Sequence, residues 1–361
     1  MRTLDHIRRY HQDLTAIRRD IHANPELGLQ EHRTADLVAR KLEEWGIEVH
    51  RGVGGTGVVG VLRSGNGHQA IGLRADMDAL PIEEATNLPY ASQTSGTMHA
   101  CGHDGHTTML LGTARYLAET RDFNGTVNFI FQPGEEGVGG ALAMLKDGLF
   151  QRFPCDAIFG MHNRPGMPVG QFAITPGAAM AGGAFFDITV TGRGAHGARP
   201  EESIDPVLVA CHIGTALQSI VSRHVSPRDT AVLSITRIQG GEAYNVIPET
   251  ATLCGTARTM RRETMDLIER NLERVAGNVA GAFGAAASVN FRLIFAPLIN
   301  HPAHLEEIAD AAAELAGPEN VDRNKPPAVA SEDFSFMLEQ VPGAYINLGN
   351  GEQGAPVHNP N

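Results

Sequence analysis

Apolar residues recur at helical spacing near the start of the chain. Leu4, Ile7, Leu14, Ile17 and Ile21 predict an amphipathic helix over 4–22. The turn H-A-N-P-E-L-G ends it, and a second helix is predicted over about 32–45, closing near Trp45-Gly46. Short apolar runs at 57–63 (G-V-V-G-V-L-R) and 69–75 (Q-A-I-G-L-R-A) then read as strands. After T-M-H-A-C-G-H-D-G-H a helix is predicted over about 105–119, with Asp104 as its N-cap. A strand at 125–131 runs into P-G-E-E-G and a helix to about 147, and a strand at 156–162 follows. Strand–helix–strand alternation is the α/β pattern, in which ligands gather at the carboxyl ends of strands.

The texture changes near 177, in P-G-A-A-M-A-G-G. Strand 184–191, helix 205–222, strands 231–238 and 250–258, helix 262–283 and strand 287–294 give the order β-α-β-β-α-β. That order is the signature of a ferredoxin-like split unit. After Pro297 the first texture returns, with a helix at 303–316, a loop carrying S-E-D-F, a strand at 343–348 and a terminal V-H-N-P. The predicted fold class is therefore α/β. A mixed-sheet domain with helices on both faces, residues 1–177 and 297–361, is interrupted by a ferredoxin-like α+β domain at 178–296.

Charge and composition narrow the function. Lys and Arg number 29 against 41 Asp and Glu, a formal net charge of −12. Such a surface does not attract nucleic acid or an anionic membrane. No run of about eighteen apolar residues occurs, so no transmembrane helix is predicted. Cys101, Cys155, Cys211 and Cys254 are far apart without C-x-x-C spacing, which argues against a disulfide scaffold or a zinc ribbon. The first residues hold no apolar signal core, and the cytoplasm is the expected location.

The densest chemistry lies in His99, Cys101, His103, Asp104 and His106. Cys and His are donors suited to zinc, cobalt, nickel or manganese, although a histidine-rich loop is also ordinary surface. Glu135-Glu136 leaves an apolar strand, where adjacent carboxylates repel unless a positive charge compensates them. The plainer reading is an acidic helix start. Asp76-Met77-Asp78 follows another apolar run and either supports metal ligands or caps the strand end. His162 and His358 are unremarkable singly. Acids and imidazoles at the ends of several separate strands together predict a metal site.

The segments G-L-R-A-D-M-D-A-L-P, M-H-A-C-G-H-D-G-H, F-Q-P-G-E-E-G, G-M-H, G-R-G-A-H, Y-N-V-I-P, G-T-A-R-T and S-E-D-F occur in that order. They resemble the aminoacylase/carboxypeptidase family of dinuclear metallohydrolases. Within it they resemble the branch of hippurate hydrolases, N-acyl-amino-acid amidohydrolases and auxin-conjugate hydrolases. The resemblance covers essentially the whole chain. It implies a catalytic domain interrupted by a lid that also dimerises, giving a homodimer or higher homo-oligomer. It also implies two divalent metal ions (Zn, Mn, Co or Ni). The implied reaction cleaves the amide bond of a small-molecule N-acyl amino acid. Deacetylation of N-acetyl amino acids or of an acetylated diaminopimelate, or cleavage of small peptides, is the alternative.

Carried over by motif, the resemblance makes Cys101, His103, Glu136, His162 and His358 the metal ligands and Glu135 the general base. His196 would donate to the oxyanion, in family dimers from the partner subunit. Asn245 would hydrogen-bond the carbonyl or carboxylate, and Arg258 would bind the substrate's α-carboxylate. Three departures stand out. The wider family has a His-x-Asp motif where this chain reads Asp76-Met77-Asp78, with His103 supplied nearby instead. Cys101 stands where other members carry a bridging aspartate. Relatives also continue for a further helix, whereas this chain stops shortly after His358, an end that frays unless tied down.

Two other classes are weighed. Gly192, Gly194 and Gly197 match G-x-G-x-x-G after a strand, as a nicotinamide-dependent oxidoreductase would. The next helix starts only near Asp205, so phosphate would miss its N-terminus. A second match at Gly52, Gly54 and Gly57 runs into a strand. A metal-binding protein without activity is the other class, against which Glu135 is present.

Overall fold

A computed structural model describes residues 2–361. The chain forms two compact units. The first runs to Ala179 and resumes over Ile299–Pro326 and Asp333–Asn361; the second comprises Met180–Leu298 and Pro327–Glu332.

The first unit is built on an 8-stranded sheet. Its order is Glu48–Val53, Gly57–Ser64, Gly125–Gln132, Ala70–Asp76, Ala157–Arg164, Gly343–Gly349, Phe172–Ala173 and Val321–Asp322. The sheet is mixed: the first three strands pair antiparallel, and the four from Gly125–Gln132 to Gly343–Gly349 run parallel. Gly125–Gln132 is buried along nearly all its length, as a central strand covered on both faces must be. Helices His11–Ala23, His32–Glu44 and His103–Thr120 cover one face, closing a core of Ile21, Val38, Leu42, Leu111, Phe129 and Phe131. Each such buried side chain contributes about 1.5–3 kcal/mol. Helix Pro302–Ala316 packs Leu305 and Ala309 on Ala344 and Ile346. On the other face Phe334 lies over Arg74, and Gly160 leaves room for the Tyr345 ring, which a Cβ would meet at 2.8 Å.

The second unit has a 4-stranded antiparallel sheet ordered Ala231–Gly240, Thr250–Thr259, Gly182–Thr191, Ala286–Phe295. Helices Pro206–Ser219 and Arg262–Ala282 share a core with Phe186, Ile188, Val190 and Leu253. Thr250–Thr259 alternates buried Ala251, Leu253 and Ala257 with half-exposed Thr252, Cys254 and Thr256, so one face is closed and the other open. Asp205 caps Pro206–Ser219 by accepting from the backbone N–H groups of Val207 and Leu208. The glycines at 192–197 open no helix; they lead into the two-residue strand Ala195–His196.

Local differences from the pattern have physical causes. The first amphipathic stretch is broken by a tight turn at Arg8–Tyr10. Strand Glu48–Val53, at the sheet edge, has only one fully buried residue and so no apolar run to announce it. Asp104 is not the N-cap. Gly102, at φ +95°, turns the chain two residues earlier, the helix begins at His103, and the Asp104 side chain is held by Arg18 and His22 instead. Among the described residues no helix is long and apolar enough to cross a membrane.

Candidate metal centre

Register brings the chemistry together. In the parallel part of the sheet Asp76 stands opposite Gln132, and Asn347 stands opposite His162. Glu135 and Glu136 follow Gln132 directly, so acids and imidazoles collect at one edge, where parallel strands leave their carboxyl ends. The turn at Gly102 sets Cys101 and His103 on either side of it, and a Cβ there would collide with the Asn163 side chain.

Cys101 Sγ lies 3.4 Å from His162 Nε2. His162 Nδ1 donates to the Asn163 carbonyl at 2.6 Å, which turns the Nε2 lone pair towards the thiol. Burial, with His106 nearby, pushes His162 down to about 3, so the ring is neutral and able to ligate. His103 is wholly buried. Its Nδ1 donates to Asp78 Oδ1 at 3.1 Å, and its Nε2 has no hydrogen-bond partner among the described residues. Burial alone depresses that ring, but the charges of Asp76 and Cys101 and the Asp78 bond overcome it and raise it well above the ordinary range. His358 Nε2 stands 3.2 Å from Glu136 Oε1, and the neighbouring Cys101 and Glu136 push it up to about 10.

Among the described residues five sets of donor atoms each lie within 4.8 Å of one another: Cys101–His103–His162, Cys101–Glu136–His358, His103–Glu135–Glu136, Asp76–His103–His106 and Glu135–Glu332–Asp333. Cys101 belongs to two of them. A buried imidazole nitrogen without a partner costs about 1–3 kcal/mol, and a cation in its path removes that cost. Thiol, imidazole and carboxylate donors so arranged fit divalent transition ions.

Surrounding residues fix the donors. Asp78 Oδ2 accepts from the Glu136 backbone N–H at 2.9 Å. Asp76 accepts from His106 Nδ1 at 2.6 Å and from Arg74 Nη1 at 2.7 Å. Glu135 Oε1 accepts from the Asp333 backbone N–H at 3.3 Å. The Asp333 carboxylate in turn takes Gln132 Nε2 at 2.7 Å and the Ala141 N–H at 2.9 Å. Buried Glu31 accepts from the Gly134 N–H at 2.8 Å and from the Thr56 hydroxyl, clamping the loop that presents Glu135 and Glu136. The chain end is tied down: the His358 N–H donates to Ala100 and the Ala85 N–H to Pro360, at 2.8 and 2.7 Å.

The other three singled-out residues lie on the second unit. His196 and Asn245 are exposed neighbours on a two-stranded ribbon, where His196 pairs with Val246 and the Gly197 N–H donates to the Asn245 carbonyl at 2.7 Å. Arg258 is half-buried on Thr250–Thr259 and donates to the Ala257 carbonyl and the Thr256 hydroxyl. It has no carboxylate partner among the described residues, and burial lowers its pKa. Sequence reading named His106 in the histidine cluster and quoted Arg74 and Asp333 within motifs, without a role for any of them, and missed Asn163, Glu31 and His22. Only the run R-A-D-M-D, with its arginine between apolar residues, hinted at a buried ion network.

Comparisons agree with this arrangement. The family described as "Peptidase family M20/M25/M40" matches residues 72–361. Hippurate hydrolase of Campylobacter jejuni is 47% identical over 343 residues, 95% of this chain and 89% of that protein. N-acetylcysteine deacetylase of Bacillus subtilis is 41% identical over 94% of this chain and 89% of its own. The crystal structure of a Bacillus subtilis dinuclear metal binding peptidase superposes with a TM-score of 0.84 at 37% identity, covering 98% of this chain and 92% of that one. With a match of this extent in sequence and in fold, the chain belongs to peptidase family M20/M25/M40.

Proposed function

We propose that this protein hydrolyses the amide bond of N-acyl amino acids, releasing a carboxylic acid and a free amino acid, with two divalent metal ions. The observation that carries the reading is Cys101, shared by two donor triads beside the carboxylate of Glu135. Cys101, His103 and His162 would hold one ion, and Cys101, Glu136 and His358 the other. Zinc, manganese, cobalt and nickel all suit such mixed donors. Held by these residues, two divalent ions would supply Lewis acidity for a bound water and for the amide carbonyl.

The chain's own groups do the rest. Glu135, held by the Asp333 N–H, takes the water's proton and delivers it to the leaving nitrogen. His196 donates to the developing oxyanion, from the partner subunit of a homodimer formed through the second unit. Asn245 bonds the substrate carbonyl or carboxylate, and Arg258, lacking an acid of its own, takes the α-carboxylate. A reducing compartment, the cytoplasm, suits a site whose central donor is a free thiol. The likeness to hippurate hydrolase favours an aromatic acyl group; the likeness to N-acetylcysteine deacetylase supports the second reading, removal of acetyl.

The test is a panel of hippurate and N-acetyl amino acids assayed after chelation and after metal readdition. Turnover that disappears and returns with metal supports the reading. No amide cleaved under any metal, or cleavage undiminished by chelation, refutes it.

A further inference from the structure

A second charged feature shares the strand ends with the metal donors. In the parallel ladder Asn347 stands opposite His162, and Gly349 opposite Arg164. Paired residues on neighbouring strands, and residues two apart on one strand, face the same side of a sheet. His162, Arg164 and Asn347 therefore stand on one face, neighbours roughly 5 to 7 Å apart. Lys325 Nζ donates to Asn347 Oδ1, which anchors a half-buried ammonium beside them.

Neither Lys325 nor Arg164 has a carboxylate in ion-pair contact among the described residues. Several surface arginines share that condition, but Lys325 does so while half-buried and beside a second cation. Arg323, two residues before Lys325, by contrast takes both Glu306 and Asp310. Burial first, and the Arg164 guanidinium second, depress Lys325 to about 8, with Asp322 opposing only in part. Lys325 and the exposed Arg164, near enough for one charge to act on the other, leave donors for an anion. The Lys325 amine spends one N–H on Asn347 and keeps two, and a guanidinium offers a bidentate fork.

We propose that Lys325 and Arg164 form a subsite for a second carboxylate of the substrate, next to the strand end that carries His162. This rests on the hydrolase reading above and narrows it: the preferred substrates are N-acyl amino acids that carry two carboxylates. The second carboxylate belongs either to the side chain of an acidic amino acid or to the far end of a dicarboxylic acyl group.

Two matched pairs separate those sources in the metal-loaded enzyme. One pair is N-benzoyl-glutamate against N-benzoyl-glutamine; the other is N-succinyl-glycine against its terminal amide. In one pair the acid should exceed its neutral isostere by about tenfold or more in kcat/KM, the scale of a charged hydrogen bond. Lys325→Met should bring that ratio to about one, and Lys325→Arg should restore most of it. Arg164→Gln should lower it in part. A wild-type ratio near one in both pairs, or a ratio unmoved by Lys325→Met in protein of normal metal content, overturns the subsite. Hippurate is the control that separates the two ideas. Hippurate cleaved without any preference for the acids refutes the subsite alone; no compound cleaved refutes the hydrolase reading and the subsite with it.

Discussion

Asp78 gives the most informative single perturbation, because its two oxygens serve different donor sets. Oδ1 accepts from His103 Nδ1 at 3.1 Å, and Oδ2 accepts from the Glu136 N–H at 2.9 Å. Burial opposes its charge, but the His103 bond and charge and the Glu136 N–H hold the carboxyl below the ordinary range, so it acts as a pure acceptor. Asp78→Ala frees the His103 ring to turn or to change tautomer, and leaves the Glu136 N–H without its acceptor at a cost of about 1–3 kcal/mol. Loss of a group that orients a metal ligand weakens metal affinity about 10- to 100-fold. Here both triads are touched, so both ions should be affected. Asp78→Asn is a finer test. Its amide has one acceptor oxygen, and its NH2 must face either a ring N–H or a backbone N–H, so it recovers only one of the two bonds. Competition against a chelating fluorophore should rank wild type above Asp78→Asn above Asp78→Ala. A folded Asp78→Ala protein binding both ions within about twofold of wild type would refute the reasoning, since the expected loss is at least about tenfold.

Glu135→Gln should keep its metal and lose turnover by about a hundred- to ten-thousand-fold, the usual contribution of a general base, whereas Glu136→Gln should lose metal; elemental analysis beside kinetics separates them. If both variants stay loaded and only Glu136→Gln is inactive, the two roles are exchanged. Arg258→Ala should depress kcat/KM far more for an N-acyl amino acid than for the matching amide without the α-carboxylate, with Arg258→Lys recovering part; equal effects on both substrates would remove it from carboxylate binding. His99 is buried with neither ring nitrogen bonded among the described residues, and burial pushes it down to about 4. Its folded pKa lies below its unfolded value, so the unfolded chain binds the extra proton and stability falls as pH drops below about 6.5, by about 2 kcal/mol at pH 5. Metal-free His99→Phe should therefore lose less Tm between pH 7 and pH 5 than wild type; an equal loss would contradict this.

Much of the site was legible because its donors fall in short runs at strand ends. Cys101, His103, Glu135 and Glu136 lie within a few residues of predicted strands or helices, and the α/β alternation says that such ends meet. From the residues alone the roles of Asp76 and Asp78 stay open, since a strand-end cap and a ligand support look alike until the His103 and His106 nitrogens are placed; only the resemblance sets them behind the ligands. Longer-range partners were invisible for a plainer reason. Arg74 reaches Asp333 across 259 positions, and Glu31 reaches Gly134 across 103, with nothing local to mark either. Asp104 shows the reverse error. Local rules favour an acid at a helix start, but Gly102 alone supplies the left-handed turn, and Asp104 is bound by Arg18 and His22 from a distant helix. Strand Glu48–Val53 escaped notice because an edge strand, solvated on one side, needs little apolar sequence.

The central claim is that one thiol-centred cluster, loaded with metal, cleaves an N-acyl amino acid. Its most direct test is a titration of chelated protein with manganese or zinc, following hippurate cleavage and bound metal in the same samples. The account predicts no cleavage without metal, and activity that rises as occupancy approaches two ions per chain. Cys101→Ala should abolish both, because Cys101 is common to the two triads. Full cleavage by metal-free protein, or a Cys101→Ala variant that still binds two ions and turns over at the wild-type rate, would contradict it.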